Sequence, residues 1–212
     1  MQLLARSAAA PQGGAAPHAS ARTAAYVNGL AIAALIAALS VPATGLSATP
    51  GSAVTQEYDL KAAFLFNFVH FVEWPAAAFA DATSPFTIGI LGVDPFGQSL
   101  DEIVANEAVR NRRLVVRRYR SVEEIEACHI LFVSSSEASQ LDHIRQALAH
   151  RSILTVGETK DFATHAGIIG FELAQRRLRL RINLAAAADA QLTISSKLLR
   201  QAQIVRSSGG RK

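Results

Sequence analysis

From Tyr58 onward, apolar residues recur at spacings of three and four. Leu60, Phe64, Phe68, Phe71 and Val72 fall on one side of a helix predicted over Tyr58 to Glu73, which Pro75 stops. The pattern then changes. "FTIGILGV" (Phe86–Val93) is a continuous apolar run of strand length, followed by Asp94 as helix cap and Pro95 at the first helical position, with Phe96, Leu100 and Ile103 on one helical face. Leu114–Tyr119 reads as a second strand, and Ser121 with Glu124 as a capping box for a short helix. "HILFV" (His129–Val133) is a third strand. Ser134 with Glu137 caps a helix reaching about Ala149, and "ILTVG" (Ile153–Gly157) is a fourth strand.

After Phe162 the period becomes two. "GIIGFEL" and "RLRLRIN" form two strands around a tight turn near Gln175–Arg177, with Arg177, Arg179 and Arg181 on one face and Leu178, Leu180 and Ile182 on the other. A last helix fits Ser195 to about Gln203. Strands alternating with helices predict an α/β fold: a three-layer, mostly parallel, Rossmann-like sheet with helices on both faces, extended by a C-terminal antiparallel hairpin.

The first 48 residues differ from the rest. They contain no Asp, Glu or Lys, and an apolar run from Leu30 to Val41 follows Arg22 and precedes small residues. That order fits a secretory signal peptide over residues 1–48, cut within Ala43–Ala48 and by preference after Ala48. The run is short for a spanning helix, which needs about 20 residues, although an uncleaved anchor is the alternative. Residues 49–56 read as a linker, 57–204 as the domain and 205–212 as a disordered tail. The mature protein is therefore expected outside the cytoplasmic membrane.

Charge adds little. Of 21 basic side chains only Arg6 and Arg22 lie in the leader, so 19 remain against 17 acidic ones; this balance is too mild to imply a polyanion partner, and no nucleic acid is expected. A 50% hydrophobic content supports a sizeable core. Cys128 is the single cysteine, so an internal disulfide is impossible.

Most residues that could carry chemistry have a structural explanation. Gly89, Gly92 and Gly97 match neither a dinucleotide fingerprint nor a P-loop. "SSS" (Ser134–Ser136) lacks the glycines of a nucleophile elbow. His143 and His150 lie two helical turns apart, too far for joint metal ligation, and Cys128 and His129 point to opposite faces of a strand. "RNRRLVVRRYR" (Arg110–Arg120) carries six arginines, either an anion-binding patch or a guarded strand edge. We expect no enzyme, and no catalytic, cofactor-binding or metal-ligating residue. In "FNFVHFVEWP" (Phe66–Pro75) Trp74 either closes the core, its indole seeking an acceptor, or stands out as a partner anchor. Lys61 and Asn67, the polar positions of the same helix, are further partner-binding candidates. Cys128 is either a buried inert thiol or, if exposed, a residue for intermolecular redox bridging.

Four stretches in series, "LKAAFLFNFVHFVEWP", "CHILFV", "ILTVGETKDFATHAGIIGFEL" and "LRLRINLAAAADAQLTISSKLLRQA", resemble the YfiR family of periplasmic proteins across Tyr58 to Ala202. The resemblance implies a non-enzymatic repressor that binds the periplasmic domain of a membrane diguanylate cyclase and so lowers cyclic-di-GMP and biofilm formation. It also implies an outer-membrane lipoprotein as a sequestering partner; a homodimer is a further expectation. Members of that family can carry paired cysteines under oxidative control, whereas Cys128 has no partner here. The alternative function is a periplasmic small-ligand receptor using the strand-end loops Gly92–Gly97, Ser134–Ser136 and Gly157–Asp161.

Overall fold

The computed structural model describes residues 50–175 and 177–207; the leader expected over residues 1–48 and the end of the tail lie outside them. Helix α1 (Pro50–Phe71) leads into a two-residue strand β1 (Val72–Glu73). The order then runs β2 (Phe86–Leu91), α2 (Ser99–Val104), β3 (Ala108–Val109), β4 (Arg112–Tyr119), β5 (Ile130–Val133), α3 (Leu141–Ala147), β6 (Leu154–Gly157) and α4 (Phe162–His165). It closes with β7 (Ile169–Ala174), β8 (Arg177–Asn183), α5 (Leu184–Asp189), β9 (Thr193–Ile194), α6 (Ser196–Leu199) and β10 (Ala202–Val205).

Eight strands form the main sheet in the order β10-β8-β7-β6-β5-β2-β4-β3. Strands β4, β2, β5, β6 and β7 are parallel, and β8 returns antiparallel to β7 with Ile169 opposite Ile182 and Ala174 opposite Arg177. Read by chain order, the parallel strands run 2-1-3-4-5, so the direction of winding reverses between β2 and β5.

The alternation of strand side chains explains the core. Ile88, Ile90, Ile130, Phe132, Leu154 and Val156 join one cluster with the inner faces of α1 and α2, whereas Leu91, Leu131 and Val133 join another with Ile144 of α3 and Phe162 of α4. Each face of the central strands thus has its own apolar cover, which is why these strands are apolar throughout. In β8 the alternation holds, with Leu180 and Ile182 buried and Arg177 and Arg179 exposed.

Several expectations are corrected. The stretch read as a linker, 49–56, is largely helix, because α1 begins at Pro50. Its buried face is Lys61, Ala62, Leu65, Phe68, Val69 and Val72, rotated from the expected one, while Phe64 and Phe71 are only half-buried. The small Ala62 lets the helix approach the sheet, and Phe64 lies at the border against Phe68 and Phe171. Val72 and Glu73 leave the helix to pair with Ile194 and Thr193 of β9. The helix expected to open at Pro95 starts at Ser99, with Asp94 Oδ1 instead accepting from the Phe96 amide at 2.7 Å. The helix expected to Gln203 ends at Leu199, and the chain continues as β10 beside β8, so Val205 belongs to the sheet. Among the described residues no helix is long and apolar enough to cross a membrane.

Candidate functional site

The reversal of winding places a crevice at the carboxyl ends of β2 and β5, the usual ligand position in such sheets. Here protein groups fill it. Ser136 Oγ accepts from the Val93 amide at 3.0 Å, and Ser136 and Glu137 pack so closely on Gly92, whose φ is 88°, that a Cβ there would collide with both. Beside them Lys61 projects from α1. Its ammonium, 3% exposed as a residue, meets Glu158 Oε2 at 2.6 Å and Glu57 Oε1 at 2.5 Å. Burial alone would lower its pKa; hydrogen bonds to Glu158 and Glu57 outweigh that and raise it. Glu158 also accepts from Tyr58 Oη at 3.4 Å and from the Ser135 amide at 3.3 Å. Lys61 thus ties α1 to the end of β6. The loop residue Val93, next to Gly92, is 70% exposed.

Trp74 is 8% exposed. Its indole Nε1 donates to the His129 carbonyl at 3.1 Å, and its ring meets Phe86 edge-on with centroids 4.8 Å apart. Asn67 is half-buried and donates to the Ala63 carbonyl at 2.7 Å, one turn back along α1. Cys128 is buried, donates from Sγ to the Ile130 carbonyl at 3.0 Å, and burial pushes its thiol up to about 12. The structure therefore does not bring the four sequence candidates together: Lys61 is at the carboxyl end of the sheet, Trp74 and Cys128 are at the other end, and Asn67 lies between.

Sequence reading missed His129 as a central group. It is buried between Phe79 and Phe86, with ring centroids at 4.4 and 4.7 Å. Nδ1 accepts from the Thr87 amide at 3.0 Å, which leaves the proton on Nε2 to reach the Ala78 carbonyl at 3.1 Å. Burial lowers its pKa to about 4. Arg112 covers the outer face of Phe79 at 3.9 Å and donates to the carbonyls of Asp81 and Ser84. This stack fastens the whole segment 76–85 to the sheet. The polar residue that opens the "HILFV" run was the available signal.

Concavities lie elsewhere on the described residues. A groove of about 640 Å3 runs along α2 between Asp94, Asp101, Glu102 and Arg118, where Arg118 already bonds both aspartates. A larger one, about 750 Å3, opens at the opposite end of the sheet among Arg145, His150, Arg151, His165 and Asn183. Among the described residues no three His, Cys, Asp or Glu side chains gather as a metal site. What the arrangement offers is a body with tied-down loops and an exposed, arginine-rich strand, β4.

A family model described as YfiR/HmsC-like matches residues 58–203, more than half of the chain. No curated protein matches it.

Proposed function

The chain belongs to the YfiR/HmsC-like family, and on that premise we propose that it is a periplasmic, non-catalytic regulator of a membrane diguanylate cyclase. It docks on the cyclase's periplasmic domain and holds the cytoplasmic output low, and an outer-membrane lipoprotein removes it from the cyclase. The observation that carries this reading is the family match over residues 58–203. The filled strand-end crevice supports it against the receptor alternative, because Lys61, Glu158, Ser136 and Glu137 occupy the space a small ligand would take.

Deleting the gene should raise cyclic-di-GMP, thicken biofilm and reduce motility, and the full-length chain should reverse all three. A version lacking residues 1–48 should stay in the cytoplasm and fail to complement. Unchanged cyclic-di-GMP in the presence of an expressed cognate cyclase, or full complementation by the leaderless chain, would sink the proposal.

A further inference from the structure

Strand β4 sorts its arginines by role. Arg112 and Arg118 are engaged within the protein, the first on Phe79 and the 81–84 carbonyls, the second on Asp94 and Asp101. Arg113 and Arg117 lie on the opposite face, both exposed, with half-buried Val115 between them. Together with the flanking Arg110 and Arg120, also exposed, they have no ion-pair partner among the described residues.

The backbone beside these arginines is equally unpaired. β3 covers β4 only at Arg112 and Arg113, with one further bond from the Leu114 amide to the Glu107 carbonyl. On the inner side Tyr119 O accepts from Gly92 N beyond β2. In a strand, amide and carbonyl of alternate residues point to the same side, so Leu114, Val116 and Arg118 direct theirs outward. Nothing among the described residues pairs the outward groups of Val116 and Arg118. An open strand edge with free cations on one face is a template for strand addition, in which main-chain bonds supply affinity and the neighbouring side chains supply selectivity.

We propose that the outer edge of β4 beyond β3, along residues 115–119, receives an extended segment of the cyclase's periplasmic domain that carries Asp or Glu placed opposite Arg117 and within diagonal reach of Arg113. This rests on the docking function proposed above. The competing role for edge arginines is to prevent edge pairing. The other edge of the same sheet argues against it, because β10 spans Ala202–Val205 without one charged residue and leaves Ile204 exposed. On that edge the strand itself carries no guarding charge.

The test is binding of the purified mature chain to the cyclase's periplasmic domain, compared with an Arg113→Glu, Arg117→Glu double variant of unchanged circular dichroism. We expect affinity to fall about tenfold or more and its dependence on salt to flatten, as for charge pairs that steer association. If charge reversal disturbs folding, Arg113→Ala with Arg117→Ala carries the same test, and Val116→Pro removes one outward amide without touching charge. A loss of about fivefold or more in a folded variant supports the proposal, and any smaller loss overturns it. Normal binding with new self-association of the variant would make the arginines edge guards, and a wild-type dimer abolished by the variant would make the occupant a second copy. Either result overturns it. A wild-type chain that does not bind the domain at all removes the docking function as well, which separates the two failures.

Discussion

Lys61 illustrates how a residue that looks like a contact point can be a structural tie. Its charge is balanced by two carboxylates, and the Glu158 side chain is itself only 8% exposed. Removing the amine would leave that carboxylate buried without a counter-charge, which costs about 3–5 kcal/mol when a buried pair is broken. Lys61→Met is therefore expected to lower the urea midpoint strongly, and adding Glu158→Gln should recover part of the loss. Equal destabilisation by the single and double variants would contradict the tie.

His129 carries a pH prediction. Unfolded, it takes up a proton near its ordinary value of 6.5; folded, it resists protonation until about 4. The unfolded chain binds the extra proton in that window, so this contribution is intact above about pH 6.5 and is lost as pH falls toward 4. A shift of this size corresponds to about 3 kcal/mol in full. Denaturant melts of the wild type at pH 7.5 and 4.5 should differ by about 2–3 kcal/mol more than those of His129→Gln; identical pH dependence would exclude the buried imidazole as the source. Cys128, by contrast, should be silent. A thiol reagent should modify it only after unfolding, and reductant should leave partner binding within a few-fold of its starting value. Rapid labelling of the native chain would restore the intermolecular-bridge reading.

At the scale of elements, the sequence was most legible where a run of apolar residues is buried on both faces. β2, β5 and β6 lie within the runs predicted for them, and the hairpin β7–β8 shows the alternation of its arginines and leucines. The short pieces were not legible. β1 and β9 are two residues each and exist because Val72 and Ile194 meet across a long separation, which no local period encodes. β10 reads as helix, since "LLRQA" is helix-favouring, and only the uncovered flank of β8 makes it a strand. The spacing of the aromatics in α1 points to the wrong face, because Phe64 and Phe71 stand out in the pattern while the fully buried Ala62 and Leu65 do not. As for the site, the position of Trp74 and its need for an acceptor could be read from the helix end, whereas its acceptor on His129 depends on pairing 55 residues away.

The connection between α4 and β7 offers an element-scale test. Phe162 is wedged against two glycines: a Cβ on Gly157 would lie 2.5–2.6 Å from its ring, and one on Gly167 would come closer still. Neither glycine needs positive φ, so the requirement is space rather than backbone freedom. Gly167→Ala should cost about 1–3 kcal/mol or more by overpacking, and Phe162→Leu in the same chain should relieve part of it. Additive losses, measured by chemical denaturation, would mean the two sites are uncoupled.

For the whole molecule, regulation is a question of differential binding. The described residues give a body whose crevice is closed by its own side chains and whose loops are fastened by Lys61 and His129, a body suited to presenting a fixed surface rather than closing on a ligand. A fixed surface can hold a cyclase off only if it fits the inactive arrangement of the cyclase's periplasmic domain better than the active one, because an equilibrium moves only by the difference in affinity between states. About 1.4 kcal/mol of that difference shifts the ratio tenfold. The coupling is reciprocal, so cyclase variants whose periplasmic domain is locked toward the active state should bind this protein more weakly. A variant with the active state raised from a small minority to dominance should lose affinity until it reaches the weaker value of the active form. Calorimetry with a graded series of such variants should show affinity falling as unliganded activity rises. Equal affinity across the series would mean the protein does not discriminate between the states, and repression by docking would then have no thermodynamic basis.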